Sequence, residues 1–217
     1  MKKLVVFDLD GTLADSLVSI QYCTNYAIGA CGFEPIPLEP YKHFVGDGAE
    51  MLLRRALAYH GDKEGAFLPK AFEAYNGFFE DNCMYQVKPY DGMVECLDKL
   101  KNAGVKIAVF SNKPHDRTVD VVETLFGKGY FDEIIGQGDL VPKKPCPDGV
   151  HLLAKKFGVS LEEVGYVGDT DTDMKTGKSA GVFTMGALWG FRDREELENC
   201  HADVVIETPL DILTYVL

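Results

Sequence analysis

The sequence predicts an α/β protein: a doubly wound, parallel, Rossmann-like sheet with a small helical cap domain inserted after its first strand. Three observations carry this. Short, continuous apolar runs recur along the chain, as in strands covered on both faces of a parallel sheet. Amphipathic stretches of helical period separate them, the alternation that lays helices over both faces. One long interval, residues 16–86, breaks the alternation and carries only helical patterns.

The first apolar run is Leu4–Phe7, which stops at Asp8. Val105–Phe110, Ile134–Ile135, Val164–Val167, Val182–Met185 and Val204–Ile206 are the other predicted strands. Between them, "DGMVECLDKLKNAG" predicts a helix capped by Asp91, with Val94, Leu97 and Leu100 on one face and Gly104 as its stop. "PDGVHLLAKKFG" repeats Val150, Leu153, Ala154 and Phe157 and stops at Gly158. Inside the interval, Leu17, Ile20, Cys23 and Ala27 form a helical stripe, and "GAEMLLRRALAYHG" and "AFLPKAFEAYNGFFEDNCMY" have the same period. Phe72, Tyr75, Phe78 and Phe79 read as the core of this part. The chain thus divides into a core of residues 1–15 and 87–217 and a cap of residues 16–86, with hinges near Ala14–Ser16 and Val87–Pro89.

Composition narrows the partners. The chain has 217 residues, 46% hydrophobic and 26% charged, enough for a core domain and a smaller one. Its net charge of -12 argues against nucleic acid and anionic membranes, both of which need positive charge to meet phosphates. A single small phosphate can still be neutralised locally by a metal ion and one or two lysines. The six cysteines are scattered, without a C-x-x-C pair, and read as thiols rather than a disulfide framework. The apolar run of "MKKLVVFD" ends too soon for a signal peptide, and a cytoplasmic location is expected. Monomer and homodimer both remain open.

Open α/β sheets bind ligands beyond the carboxyl ends of their strands. "DLDGT" follows the first strand, "SNK" (Ser111, Asn112, Lys113) the second, and "GDTDTD" (Gly168–Asp173) the strand at Val164–Val167, while "KKPCP" (Lys143–Pro147) precedes a helix. Each has a plain alternative. Asp-Gly makes turns, Ser-Asn before Pro114 can cap a helix, acids in "GDTDTD" can stabilise a helix start, and lysines in a Pro-rich loop are usually solvated. All four alternatives would have to coincide at one edge of one sheet.

The four clusters resemble, in order and in position, the four motifs of the haloacid dehalogenase superfamily: "DLDGTLADS", "SNK", the "KPCP" of Lys144–Pro147, and "GDTDTD". A helical cap after the first motif is also a family feature. "VGDGAEMLLRRAL" and "ALWGFRDREELENCHADVVIETPLDIL" are similar to segments of phosphoglycolate phosphatases and their near relatives. The resemblance implies a phosphatase acting on a small phosphorylated metabolite. Asp8 is then the nucleophile that forms an aspartyl-phosphate. Asp10 is the general acid and base, a role that needs a raised pKa while Asp8 stays ionised with a cation's help. The cation is Mg²⁺, held by the Asp8 side chain, the Asp10 carbonyl and the Asp169 side chain, with Asp173 behind them and Asp171 turned elsewhere. Lys144, preferred over Lys143 because it directly precedes Pro145-x-Pro147, pairs with the phosphate and Asp8. Gly11, Thr12, Ser111, Asn112 and Lys113 line the substrate, Ser111 and Asn112 on the phosphoryl oxygens.

Other features carry less. The five histidines show no metal-ligand spacing. "VGDG" (Val45–Gly48) reads as a cap loop, Arg54 and Arg55 as a solvated face, and Trp189 as packing at a loop base. A dehalogenase or phosphonatase would lack the second acid, which Asp10 supplies. A sugar-phosphate mutase of the same superfamily keeps both Asp8 and Asp10 and so stays open on the core motifs, although the arginine such enzymes carry is missing where "GDGA" stands. Inorganic pyrophosphatase stays open, as does a catalytically silent binding protein, against which Asp8, Asp10, Lys144 and Asp169 all argue.

Overall fold

The computed structural model describes residues 1–138 and 141–217. The chain forms two compact units, Met1–Asp15 with Lys88–Leu217, and Ser16–Val87. In the larger unit, strands β1 (Leu4–Phe7), β2 (Ala14–Asp15), β3 (Lys88–Pro89), β4 (Lys106–Pro114), β5 (Glu133–Gln137), β6 (Val164–Gly168), β7 (Phe183–Ala187) and β8 (Val204–Ile206) follow in chain order. Among the described residues, six of them make one sheet in the order β5-β4-β1-β6-β7-β8, with every neighbouring pair parallel. The chain runs outward from β1 through β4 to β5, then returns to β6 on the other side of β1. The direction of winding reverses at β1, and its carboxyl end is therefore where a ligand crevice opens.

Burial explains the strands. All four side chains of β1 are inaccessible, as a central strand covered on both faces requires. Leu4 and Val6 pack with Ala108, Phe110, Val150, Leu153 and Tyr166 in one core. By alternation Val5 and Phe7 point to the opposite face, where the Phe7 ring meets Phe131 edge-on at 6.5 Å. Register places Phe7 opposite Val109 and Val167, so the residues that follow β1 and β6, and the last part of β4, emerge side by side.

Several boundaries differ from those expected from sequence. β4 runs on to Pro114, because its end pairs with Gln137 of β5 after a register shift. Helix α5 (Met93–Asn102) begins after Gly92, whose left-handed backbone (φ 81°) takes the boundary position, so Asp91 lies one residue too early to cap it. β2 and β3 pair antiparallel, Ala14 opposite Pro89 and Asp15 opposite Lys88, a ribbon too short to leave a periodic signal. Helices α6 (His115–Phe126), α7 (Asp148–Phe157), α8 (Asp171–Ala180), α9 (Arg194–Asn199) and α10 (Ile212–Val216) complete this unit.

The smaller unit is helical: α1 (Leu17–Ala30), α2 (Tyr41–Phe44), α3 (Ala49–Tyr59) and α4 (Leu68–Asn82). The stripe Leu17, Ile20, Cys23 and Ala27 is buried, as its spacing demands. Asn25 ties the loop to α2, donating to the Ile36 carbonyl (3.0 Å) and accepting from Ile36 N–H (2.9 Å) and the Tyr41 hydroxyl (2.8 Å). Tyr75 and Phe79 are core residues, but Phe72 is exposed at 36% and Phe78 stacks on Tyr26 at 3.8 Å. Phe72, Tyr75, Phe78 and Phe79 span more than one face of α4, and its buried face takes only Tyr75 and Phe79 of them.

Helix α7 packs closely on β4. A Cβ on Gly149 would lie 2.5 Å from the ring of Phe110, which is itself buried. Gly149→Ala is expected to cost about 1–3 kcal/mol and to lower the melting temperature by roughly 3–10 °C in thermal denaturation. An unchanged melting temperature would mean that the ring has room to move.

Candidate active site

The first loop is folded by its own backbone. The Leu9 carbonyl accepts from the N–H groups of Thr12, Leu13 and Ala14 (3.3, 3.0 and 2.9 Å), and Gly11 N–H donates to the Ala14 carbonyl (2.9 Å). Gly11 has φ 87°, and a Cβ there would lie 2.2 Å from Asp169 Oδ2. Only glycine both adopts this backbone and lets the loop lie against that carboxylate. Asp8 N–H donates to the Val167 carbonyl (2.9 Å), which extends the ladder one residue beyond β1 and fixes the carboxyl group at the sheet edge.

Lys144 stands at the centre. Its ammonium lies 2.7 Å from Asp8 Oδ1 and 2.7 Å from Asp173 Oδ1, with 2% of its side chain exposed. Asn112, from the end of β4, holds its backbone on both sides: Lys144 N–H donates to Asn112 Oδ1 (2.8 Å), and Asn112 Nδ2 donates to the Lys144 carbonyl (3.1 Å). Asp173 also accepts from the Tyr166 hydroxyl (3.1 Å) and from the N–H (3.1 Å) and hydroxyl (2.7 Å) of Thr170. Those bonds, with Lys144, occupy the four lone-pair positions of the carboxylate. Asp169 accepts from the Thr12 hydroxyl (2.9 Å) and Phe191 N–H (2.9 Å), and the Trp189 indole N–H donates to the Thr12 carbonyl (2.9 Å). Lys113 donates to both oxygens of Asp10 (2.9 and 2.8 Å), and Ser111 Oγ accepts from Lys113 N–H (3.2 Å). Asp171 pairs with Lys175 (2.6 Å), away from this cluster's bonds.

The structure therefore brings Asp8, Gly11, Thr12, Lys144, Asp169 and Asp173 into one connected cluster, with Asn112 bonded to the Lys144 backbone and Ser111 to that of Lys113. The Thr12 hydroxyl and the Asn112 amide are turned to protein partners. Tyr166 and Thr170 escaped the sequence reading. A tyrosine inside an apolar strand gives no signal, but Thr170-x-x-Asp173 has the spacing of a capping box, which the structure contains at the start of α8.

The electrostatics are unbalanced. Burial, then the like charge of Asp173, raises Asp8 from the usual carboxylate value to about 7 against the opposing pull of Lys144. Asp8, expected to be held ionised with a cation's help, is thus pushed up by its protein surroundings. Asp169 is driven well above its ordinary value by burial, Asp173 and Asp8. For Lys144, burial opposes the charged form, but Asp173 and Asp8 outweigh it and raise its pKa. Asp8, Asp169 and Asp173 each offer a carboxylate oxygen within 4.8 Å of one another. The cluster is buried, all-oxygen and over-supplied with negative charge, which suits a hard divalent cation, and because the lone pairs of Asp173 are taken, Asp8 and Asp169 are its carboxylates that fit as ligands.

The chain belongs to the haloacid dehalogenase-like hydrolases, whose family model matches residues 5–187, a span that contains all of these carboxylates. It is an enzyme, a phosphatase of that family, similar to phosphoglycolate phosphatases. The phosphoglycolate phosphatase of Aquifex aeolicus is 32% identical over 211 residues, 97% of this chain and 95% of the relative. That of Vibrio cholerae is 31% identical over 220 residues, 99% of this chain and 97% of the relative. A crystal structure from Lactobacillus delbrueckii subsp. bulgaricus, described as a candidate phosphoglycolate phosphatase, matches with a TM-score of 0.94 at 28% identity, covering 100% of this chain and 99% of that one. Among the described residues, no helix is long and apolar enough to cross a membrane.

The raised carboxyl makes metal-free stability depend on pH. With a folded pKa near 7 against 3.8 for the free side chain, native Asp8 holds a proton that the unfolded chain has released. Its contribution is present at low pH and lost as pH rises through about 7. In chelator, Asp8→Asn is expected to melt about 5 °C or more above the parent at pH 8, with the gap closing towards pH 5. An equal gap at both pH values would show that Asp8 is not the group responsible.

Proposed function

We propose that the chain hydrolyses a small phosphomonoester, with 2-phosphoglycolate the first candidate, by passing the phosphoryl group through Asp8. The observation that carries this reading is the Lys144 ammonium set 2.7 Å from Asp8 and 2.7 Å from Asp173 at the carboxyl end of the central strand. Similarity to the phosphoglycolate phosphatases of Aquifex aeolicus and Vibrio cholerae supports the substrate.

The Asp8 side chain, the Asp10 carbonyl and the Asp169 side chain would hold Mg²⁺. Bound there, the ion supplies positive charge that keeps Asp8 ionised and draws the phosphate in. Asp8 attacks phosphorus, so that its oxygen–phosphorus bond forms as the bond to the leaving alcohol breaks, and Asp10 gives that alcohol its proton. Asp10 then takes a proton from water, whose oxygen attacks phosphorus, and the bond to Asp8 breaks to release phosphate. Lys144 fixes the orientation of Asp8. Ser111 and the N–H groups around Asn112 stabilise the phosphoryl oxygens that gain charge. Asp173 acts through Lys144, since its lone pairs are already taken.

A small phosphorylated metabolite is the partner that suits the acidic chain, with a cytoplasmic location and a monomeric or homodimeric state. Phosphate release is measured with Mg²⁺ and with EDTA over 2-phosphoglycolate, pyrophosphate, sugar phosphates and nucleoside monophosphates. The expected result is a kcat/KM for 2-phosphoglycolate at least about tenfold above the others, loss of turnover in EDTA, and a loss of roughly 10³-fold or more in Asp8→Asn. A flat profile removes the substrate, and turnover by Asp8→Asn removes the mechanism.

A further inference from the structure

Lys113 ends its run on β4 with its backbone fixed at several points. Its N–H donates to Ser111 Oγ (3.2 Å), and its carbonyl accepts from the Thr118 hydroxyl (3.0 Å). β5 packs so closely that a Cβ on Gly136 would lie 2.8 Å from that carbonyl oxygen. From this base the side chain, 7% exposed, crosses to Asp10, 103 residues earlier in the chain, and reaches both carboxylate oxygens. The Asp10 side chain is 13% exposed.

Two features set this pair apart from a surface ion pair. Burying an ammonium costs free energy unless it is paired, and a buried pair adds little net stability over apolar side chains of the same size. Stability is therefore a poor reason for a lysine here. The contact is also made at two points. A bond to one oxygen leaves the other side of the carboxyl group free to swing away, whereas one ammonium bonded to both oxygens keeps the open edge of the carboxyl group facing Lys113.

We infer that Lys113 is a positioning residue for Asp10: it holds the Asp10 carboxyl group in one orientation for proton exchange and does not itself bind the substrate. This rests on Asp10 being the proton donor and acceptor. A catalytic group displaced by about 1 Å can lose about 10²-fold in rate. Removing Lys113 should therefore act on kcat, whereas a substrate-binding lysine would act on KM.

The test is a double-mutant cycle with the best phosphomonoester of the substrate panel, on full-length protein with Mg²⁺, using Lys113→Met, Asp10→Asn, the pair together, and Lys113→Arg. The expected result is a kcat for Lys113→Met lowered roughly 10–100-fold with KM within about threefold, and substantial recovery in Lys113→Arg, which keeps a two-point donor. Because Lys113 acts through Asp10, the double variant should be no slower than Asp10→Asn alone. A raised KM with unchanged kcat overturns the inference, as does no effect, or losses that multiply in the double variant. Full turnover by Asp10→Asn is a separate result: it removes the role of Asp10, and this inference with it. If Lys113→Met does not fold, as judged by circular dichroism, Lys113→Gln replaces it in the same cycle with the same outcomes.

Discussion

One buried ammonium, that of Lys144, lies between Asp8 and Asp173, 2.7 Å from each. The rest of the site depends on this arrangement. Asn112 is bonded to the Lys144 backbone on both sides, and Tyr166 and Thr170 occupy the remaining positions of Asp173. The ammonium is thus held from the loop before α7, from β4, from β6 and from α8. One lysine does not neutralise three carboxylates that approach within 4.8 Å, and burial together with that surplus raises Asp8 to about 7. A second positive charge relieves that surplus, which is why the residues fit a divalent cation better than they fit one another.

The topology makes such a cluster possible at low cost in chain. β1 is flanked by β4 and β6 in parallel, so three segments distant in sequence end together at one edge. Their backbones are fixed by the ladder and by a core in which Leu4, Val6, Phe110 and Tyr166 pack as one. The side chains beyond the strand ends inherit that rigidity. The close approach of Gly11 to Asp169 and the Trp189 bond to Thr12 then fix the first loop against the ends of β6 and β7.

Much of this was legible in the sequence, for physical reasons. A parallel strand buried on both faces is a continuous apolar run, as β1 is, whereas β5 and β8, at the two edges of the sheet and only partly buried, show just two or three apolar residues in a row. Polar residues directly after such runs mark the carboxyl edge and single out Asp8 and Asp169, whereas Lys144 and Asp173 stand out only through the resemblance to the family's motifs and through helical spacing. What was hidden depends on tertiary pairing. The β2–β3 ribbon has no period to read, Gly92 displaces Asp91 from the helix boundary, and Phe72 is left outside a core that Tyr75 and Phe79 fill. The Asn112 amide faces Lys144 32 residues later, and Lys113 reaches back 103 residues to Asp10. Spacing along the chain cannot encode either contact.

The most direct test of the central claim is to look for the phosphoryl group on Asp8 itself. Asp10→Asn protein is mixed with Mg²⁺ and p-nitrophenyl phosphate, whose leaving group needs no proton from Asp10, quenched in acid within one turnover, digested, and examined by mass spectrometry. The account predicts one added phosphoryl group on the peptide containing Asp8, because hydrolysis of that species needs Asp10. Release of phosphate with no phosphorylated peptide at any time would contradict it, since Asp8 would then not be the group that attacks phosphorus.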